Sequence, residues 1–481
     1  MVVRGPNNEN GPHCARFLSS LGRERCALYL VARGLNPFTH RIGLWETNYH
    51  LAVNQNRGIS NWQLVKYYDD LMGAFQTQKP YEDVIKVGAL SAAIAQQYGN
   101  RHNAFYDGVC YCNEDFAREF HQLGFGILGV ADPEYHELTS IKNTAKALTG
   151  MTGVPIEAPN EWEAETLSFN VEGHTPGAVE ILHRSIPGAN MAQKINALVD
   201  HDIGHSESRA NLPLMIIQNL ADDELSAGEI TALRKAWASM PTKDLVTFVR
   251  AYGISTRFHS PNRVKRWTSI ERFMLLANLY THSNLENYYD VPQQGCLYWD
   301  EEVIPFRPHH DVFGHQSGPE AAGSAEIFRK NFEAATTGGW RFTDVVKTFD
   351  TTAFRKDWRL NAPKDEQEKY QVGITVRWLW DRFIGDGGEN FGPLERAHLY
   401  ALLALDEDLS KAIYPNEPGR VVTLAQLTGD ATIKAQAAAL KVQRLQLASA
   451  DLDDRAEANR RIGAAINFIT VTPFMLADEG R

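Results

Sequence analysis

At 481 residues, 43% hydrophobic and 22% charged, the chain has the composition of an ordinary globular protein, long enough for one large domain or two to three smaller ones. A net charge of −11 without long like-charged runs offers no basic face to nucleic acid or anionic lipid, so the expected partner is a small-molecule substrate. No window approaches the roughly 20 uninterrupted apolar residues of a membrane span, and the first ten residues lack the apolar stretch of a secretory signal, so a cytoplasmic protein is expected.

Apolar residues three and four apart predict helices over Trp62–Phe75, Glu82–Gln97, Asp223–Trp237, Ile270–Tyr289 and Thr423–Phe468. Strand-like alternation is rare and short. Gly, Pro and Asn punctuate the chain at Gly150–Pro159, Gly173–Pro187, Val291–Pro308 and Gly385–Pro393, which read as loops. The expected class is mainly α, a multi-helix bundle with few short strands. Three parts are expected: an N-terminal helical subdomain (1–150), a metal-binding helical core (151–393), and an Ala-, Leu- and Gln-rich helical tail (394–481) that packs on the core or on a second copy of the chain. Five cysteines, at 14, 26, 110, 112 and 296, form no CxxC pair, which argues against a disulfide framework; Cys110 and Cys112 read as free thiols ahead of a redox pair or a metal clip.

Two patches carry the chemistry. Asp200-His201-Asp202-Ile203-Gly204-His205 and His309-His310-Asp311-Val312-Phe313-Gly314-His315 share a His-Asp, aliphatic, Gly-His pattern, and five of only sixteen histidines lie in them. Imidazole and carboxylate are the ligands of zinc and of non-haem iron or manganese. If residues 197–205 are helical, His201 and His205 fall at i and i+4 on one face, where both can reach one ion. Asp202 lies about a quarter turn away, as an outer partner, a bridging carboxylate or a general base. In the second patch His310 and His315 are at i and i+5, diverging by about 140° on a helix, so a helix start or break is expected near Pro308. Ser317 to Glu320 reads as a capping box, and Glu326, set among Ala321, Ala322, Ala325, Ile327 and Phe328, is the expected carboxylate ligand of this patch.

The stretch His310-Asp311-Val312-Phe313-Gly314-His315 resembles the iron site of pterin-dependent aromatic amino acid hydroxylases, whose pattern is Pro-Asp-x-x-His-Glu-x-x-Gly-His. The resemblance implies His310 and His315 as iron ligands in a mostly helical fold. Asp311 stands in place of that family's glutamate, Phe306-Arg307 in place of its Pro-Asp, and its later Glu-Phe-Gly is missing after Trp340. The His-Asp words also resemble the His-Asp-x-x-His motif of a helical metal-protein family of ubiquinone biosynthesis, although Ile217 stands where the first copy needs a glutamate. Leu198 to Gly204 is similar to the helix ending in His-Asp-Ile-Gly of HD-domain metal enzymes.

Other histidines invite weaker readings. Glu119-Phe120-His121 and Glu134-Tyr135-His136-Glu137 could supply bridging ligands from helices, but read first as surface or capping features. His174, His183, His259 and His282 read as structural. The Gly385–Gly392 run lacks the Lys-Ser/Thr of a phosphate loop and reads as a turn. The expected function is a non-haem iron oxygenase or oxidase acting on a small organic, aromatic or apolar substrate, with a mono- or dinuclear centre of His201, His205, His310, His315 and Glu326 and with Asp202 and Asp311 as catalytic carboxylates. Iron(II) is the expected metal, ahead of zinc or manganese. The alternatives are a zinc or HD-type hydrolase, in which Asp202 or Asp311 takes a proton from metal-bound water, and a helical scaffold with a structural metal.

Overall fold

The structure is a computed structural model and describes residues 37–156, 165–260, 262–266, 306, 363–364, 366, 370–400 and 430–439, with isolated positions between 402 and 478. The chain divides into two compact units, the first of residues 1–265 with 302–321, the second of 266–301 with 322–479. The boundary expected at residue 150 falls inside the first unit.

The first unit opens with α1 (Pro37–Trp45), which continues into a π-helical turn, Glu46–His50. Helix α2 (Asn61–Gln76) starts where Ser60 and Gln63 form a capping box: the Ser60 hydroxyl accepts the Gln63 N–H at 3.2 Å, and the Gln63 side chain accepts the Ser60 N–H at 2.9 Å. Its buried stripe, Leu64, Tyr67, Tyr68, Leu71, Met72 and Phe75, follows the helical spacing read from the sequence.

The single helix expected over Glu82–Gln97 is instead two, α3 (Tyr81–Ala89) and α4 (Ala92–Gln97). Ser91 makes the break. Its hydroxyl accepts the N–H groups of Ala93 and Ile94, offering the backbone a fresh start in place of continuation.

Hairpin β1–β2 (Ala104–Tyr106, Val109–Tyr111) turns at Asp107 and Gly108, both left-handed at φ 50° and 80°, as a two-residue hairpin loop requires. Next come α5 (Asp115–Phe125) and a helical run of α6 (Pro133–Tyr135), a π-helical segment (His136–Ile141) and α7 (Lys142–Ala147). Two stretches expected as loops contain strands: β3 (Met151–Pro155) pairs antiparallel with β4 (Glu165–Phe169), and β5 (Val179–Ile181) with β6 (Arg184–Ile186). Strand pairing here depends on cross-strand partners, which a Gly- and Pro-rich composition conceals.

The unit's remaining helices are α8 (Met191–Asp202), α9 (Ser206–Leu220), α10 (Ala227–Ser239) and α11 (Leu245–Gly253). Helix α10 realises the helix expected over Asp223–Trp237 and opens on a Ser226/Glu229 capping box. The core runs through these elements as one apolar cluster, with Val84 and Ile85 of α3 and Ile195, Leu198 and Val199 of α8 all inside it. Helix α3 packs on α8, and Lys86 reaches Asp200 at 2.6 Å on the rim of that contact.

In the second unit α12 (Val372–Phe383) buries Val372, Val376, Leu379, Trp380 and Phe383. The Gly-rich run after it is a turn, as expected. Asp386 accepts the Trp380 indole N–H at 2.9 Å and the N–H groups of Gly388 and Asn390 at 2.8 and 2.7 Å. Helices α13 (Pro393–Tyr400) and α14 (Ala431–Ala439) pack together. The helix expected over Thr423–Phe468 is interrupted at Gln446–Leu447, a short strand paired with Tyr370–Gln371. The helix expected at Ile270–Tyr289 lies outside the described residues. The class is mainly α, with its strands in two-stranded pairs.

The α3–α8 contact yields a paired expectation. Leu198→Ala empties a fully buried position and costs about 2–5 kcal/mol, whereas Asp200→Ala removes an exposed ion pair and costs under about 1 kcal/mol. Urea unfolding of the two variants measures both, and equal losses would contradict the packing assignment.

Candidate functional site

The first His-Asp patch does not sit on one helix. Helix α8 ends at Asp202, Ile203 is its C-cap, and His205 is the N-cap of α9 with extended backbone at φ −63°, ψ 148°. The expected i, i+4 pair on a continuous helix is therefore corrected. Gly204 weakens propagation at this point, and the His205 ring offers α9 a cap, its Nδ1 accepting the Glu207 N–H at 3.3 Å. The two rings still end up neighbours, with centroids 6.3 Å apart and planes at 78°.

Asp202 turns inward and is fully buried. Its Oδ2 lies 3.0 Å from Nδ1 of His121 on α5, at ion-pair distance but without hydrogen-bond alignment. A carboxylate at Nδ1 favours the tautomer with its proton there, so Nε2 accepts from the Thr144 hydroxyl of α7 at 2.7 Å. Asp202, His121 and Thr144 thus form a carboxylate–imidazole–hydroxyl chain through three helices, every member fully buried. The His136 ring stands edge-on to His121 at 5.7 Å. The reading of His121 and His136 as surface or capping features is corrected: both are buried, His121 on the apolar face of α5 with Phe116, Phe120 and Phe125, and His136 on the π-helical segment with Ser140 and Ile141.

The floor of this cluster is tied by Glu207. Its carboxylate accepts the backbone N–H groups of Leu128, Gly129 and Val130 at 2.6, 3.0 and 2.9 Å, clamping the loop after α5 onto the start of α9. Gly129 is required there for two reasons. Its φ is +69°, and a Cβ at that position would lie 2.3 Å from Cγ of His136.

The neighbourhood is rich in unmatched polar atoms. Both Asp202 oxygens, Nδ1 of His121, Nδ1 of His136, Nε2 of His201 and the Ser208 hydroxyl are buried without a hydrogen bond. Burial lowers the pKa of His205, and His201 and His121 add to that, against the opposing pull of Asp202 and Glu207. His136 is lowered chiefly by burial and next by His121, against Glu137 and Glu207.

In kind, these donors suit a divalent transition metal. In position, no three His, Cys, Asp or Glu side chains among the described residues converge on one point. His309, His310, Asp311, His315 and Glu326 lie outside the described residues. His174, read as structural, pairs through Nδ1 with the Thr149 carbonyl at 2.7 Å, while its Nε2 is buried without a hydrogen bond.

A second buried cluster went unread in the sequence. The Tyr81 hydroxyl donates to Oε2 of Glu46 at 2.9 Å, Oε1 of Glu46 lies 2.8 Å from Nδ1 of His50, and Trp45 stacks on His50 at 4.7 Å. The signal was Glu46-x-x-x-His50, a carboxylate and an imidazole one turn apart within an apolar stretch. Its π-helical turn places Glu46, Thr47, Asn48, Tyr49 and His50 all in the interior.

A family profile described as "Protein of unknown function (DUF1800)" matches residues 36–289, more than half of the chain. The chain belongs to the DUF1800 family. No curated protein and no solved structure matches it. The DUF1800 match contains both buried clusters and His201, Asp202 and His205, and it ends before His310.

Two outcomes follow for the DUF1800 region. Gly129→Ala forces both a left-handed alanine and a clash with His136, and should destabilise by about 2 kcal/mol or more in urea melts. His136 and His205 have folded pKa values below the ordinary 6.5, so their contribution to stability is complete above pH 6.5 and declines as pH falls through their lowered values. Melts between pH 7.5 and 5 should show that decline, with a shallower slope in His136→Gln; an unchanged slope would contradict the burial of this imidazole.

Proposed function

We propose that the chain is a metal-dependent oxidoreductase of the oxygenase or oxidase type, acting on a small organic substrate, with His201 and His205 as imidazole ligands of iron(II). The observation that supports this reading is the concentration of buried, unmatched donor atoms around Asp202. Natural interiors rarely leave so many polar atoms without partners, and a cation is the partner that imidazole nitrogens and a carboxylate share.

Such an ion would supply open coordination positions for dioxygen and substrate. The chain's own part can be stated for each residue. His201 offers Nε2, which is buried and unpartnered. For His205 the capping bond and metal ligation compete: an imidazole whose Nδ1 accepts an N–H carries its proton on Nε2, so ligation through Nε2 requires release of the Glu207 N–H. At 3.3 Å that bond is long and cheap to give up. Asp202, which faces His121, is proposed as the proton acceptor beside this pair. His310 or His315, of the same compact unit, is proposed as a third protein ligand.

Metal analysis of protein purified without added metal tests the proposal. Iron is expected, lost in His201→Ala and His205→Ala while the far-ultraviolet circular dichroism stays helical, together with a shift of the Glu207 amide resonance on metal removal. His310→Ala and His315→Ala should abolish oxygen-dependent turnover. Zinc alone, or full metal retention in the 201 and 205 variants, would sink the iron reading.

The Asp202–His121–Thr144 chain favours a second reading, a hydrolase in which Nε2 of His121, whose Nδ1 faces Asp202, takes the proton of the Thr144 hydroxyl. Turnover that persists without oxygen and falls at least about 100-fold in His121→Gln would select it.

A further inference from the structure

We propose that Cys110 and Cys112 are a redox-active pair that undergoes thiol–disulfide exchange with external dithiols. The structure joins them in a disulfide, which corrects the expectation of two free thiols. Cys110 lies on β2 and Cys112 just past its end at Tyr111, with Cα atoms 5.4 Å apart, inside the usual range of about 4.4–6.8 Å for a disulfide.

This bond is a poor structural staple. It closes a segment with one intervening residue, Tyr111, so it removes little freedom from the unfolded chain. The hairpin is also held without it. The Asp107–Gly108 turn and the register Phe105↔Cys110 fix β1 against β2. Phe105 N–H donates to the Gly173 carbonyl at 2.8 Å. On the other side, the Asn113 N–H donates to the Asn103 side chain at 2.8 Å, and the Asn103 amide returns a bond to the Asn113 carbonyl at 3.2 Å. Opening the disulfide leaves all of these in place.

The pair is also reachable. Both cysteines are partly exposed, and their hairpin projects Tyr106, Val109 and Tyr111 into solvent at 58%, 52% and 64% exposure. An attacking thiolate needs access to one sulfur, and exposed disulfides that contribute little stability are the labile ones.

The exchange balances as follows. One thiolate of a substrate dithiol attacks Sγ of either cysteine, a mixed disulfide forms, the Sγ–Sγ bond breaks, and the released cysteine thiolate takes up a proton. The substrate's second thiolate then attacks its own sulfur in the mixed disulfide. The substrate leaves as a disulfide, the second cysteine thiolate is protonated, and two electrons have passed to the pair. The reverse sequence reduces a substrate disulfide, with the neighbouring cysteine placed to resolve the mixed disulfide within the chain.

The full-length protein, equilibrated in glutathione buffers of varied ratio and then alkylated, is digested after Arg101 and Arg118 so that one peptide carries both cysteines. The pair should convert between disulfide and dithiol at millimolar glutathione, with circular dichroism and melting temperature unchanged. The protein should also oxidise a reduced two-cysteine peptide about tenfold faster than the Cys110→Ser, Cys112→Ser double variant, which retains the other three cysteines. A disulfide that resists glutathione until the protein unfolds, a melting temperature that drops on reduction, thiols that never pair, or peptide oxidation no faster than in the double variant would each overturn the proposal.

Discussion

A fully buried carboxylate ties together three helices of the first unit. Asp202 lies at the end of α8 with no exposed surface, where an uncompensated charge costs several kcal/mol. Its counterpart is His121, and the far nitrogen of His121 needs Thr144. One carboxylate thus links α5, and through it α7, to α8. The Glu207 clamp on residues 128–130 extends the same logic, because it fixes the loop that carries Gly129 beneath His136. Apolar packing of Phe116, Phe120 and Phe125, whose rings meet edge to face, supplies cohesion around this polar frame. The frame supplies direction.

Helices were legible wherever one apolar face recurred, as in α2 and α10, because that face is a local property of consecutive residues. Their limits were less so. Ser91 divides α3 from α4 with a single hydroxyl, and Gly204 with His205 ends α8 by the same kind of competition for backbone N–H groups. A one-residue device hardly alters a periodic pattern. The strands of β3–β4 and β5–β6 were hidden for another reason: their residues look like loop residues until the partner strand is known.

The site was legible in chemistry and not in geometry. Counting histidines beside aspartates singles out 200–205, yet the imidazole that meets Asp202 comes from α5, and the hydroxyl that meets that imidazole comes from α7. Such partners are distant in sequence, so no spacing rule reaches them. Glu46 and His50 carried an i, i+4 signal, but their burial comes from a π-helical turn whose residues all face inward, and Tyr81 reaches Glu46 from 35 residues away.

Within the first patch, structural and chemical duties divide the available atoms. Asp202 faces His121 without a hydrogen bond, Nδ1 of His205 is engaged by the start of α9, and Nε2 of His201 is buried without a bond. An arrangement in which the cap on α9 must yield before His205 can ligate couples any bound ion to the N-terminus of that helix, and through Glu207 to the loop at residues 128–130. Occupancy would then be felt at Gly129 and His136, where the packing leaves no room for a Cβ, so a ligand's effect would reach a region with little steric slack.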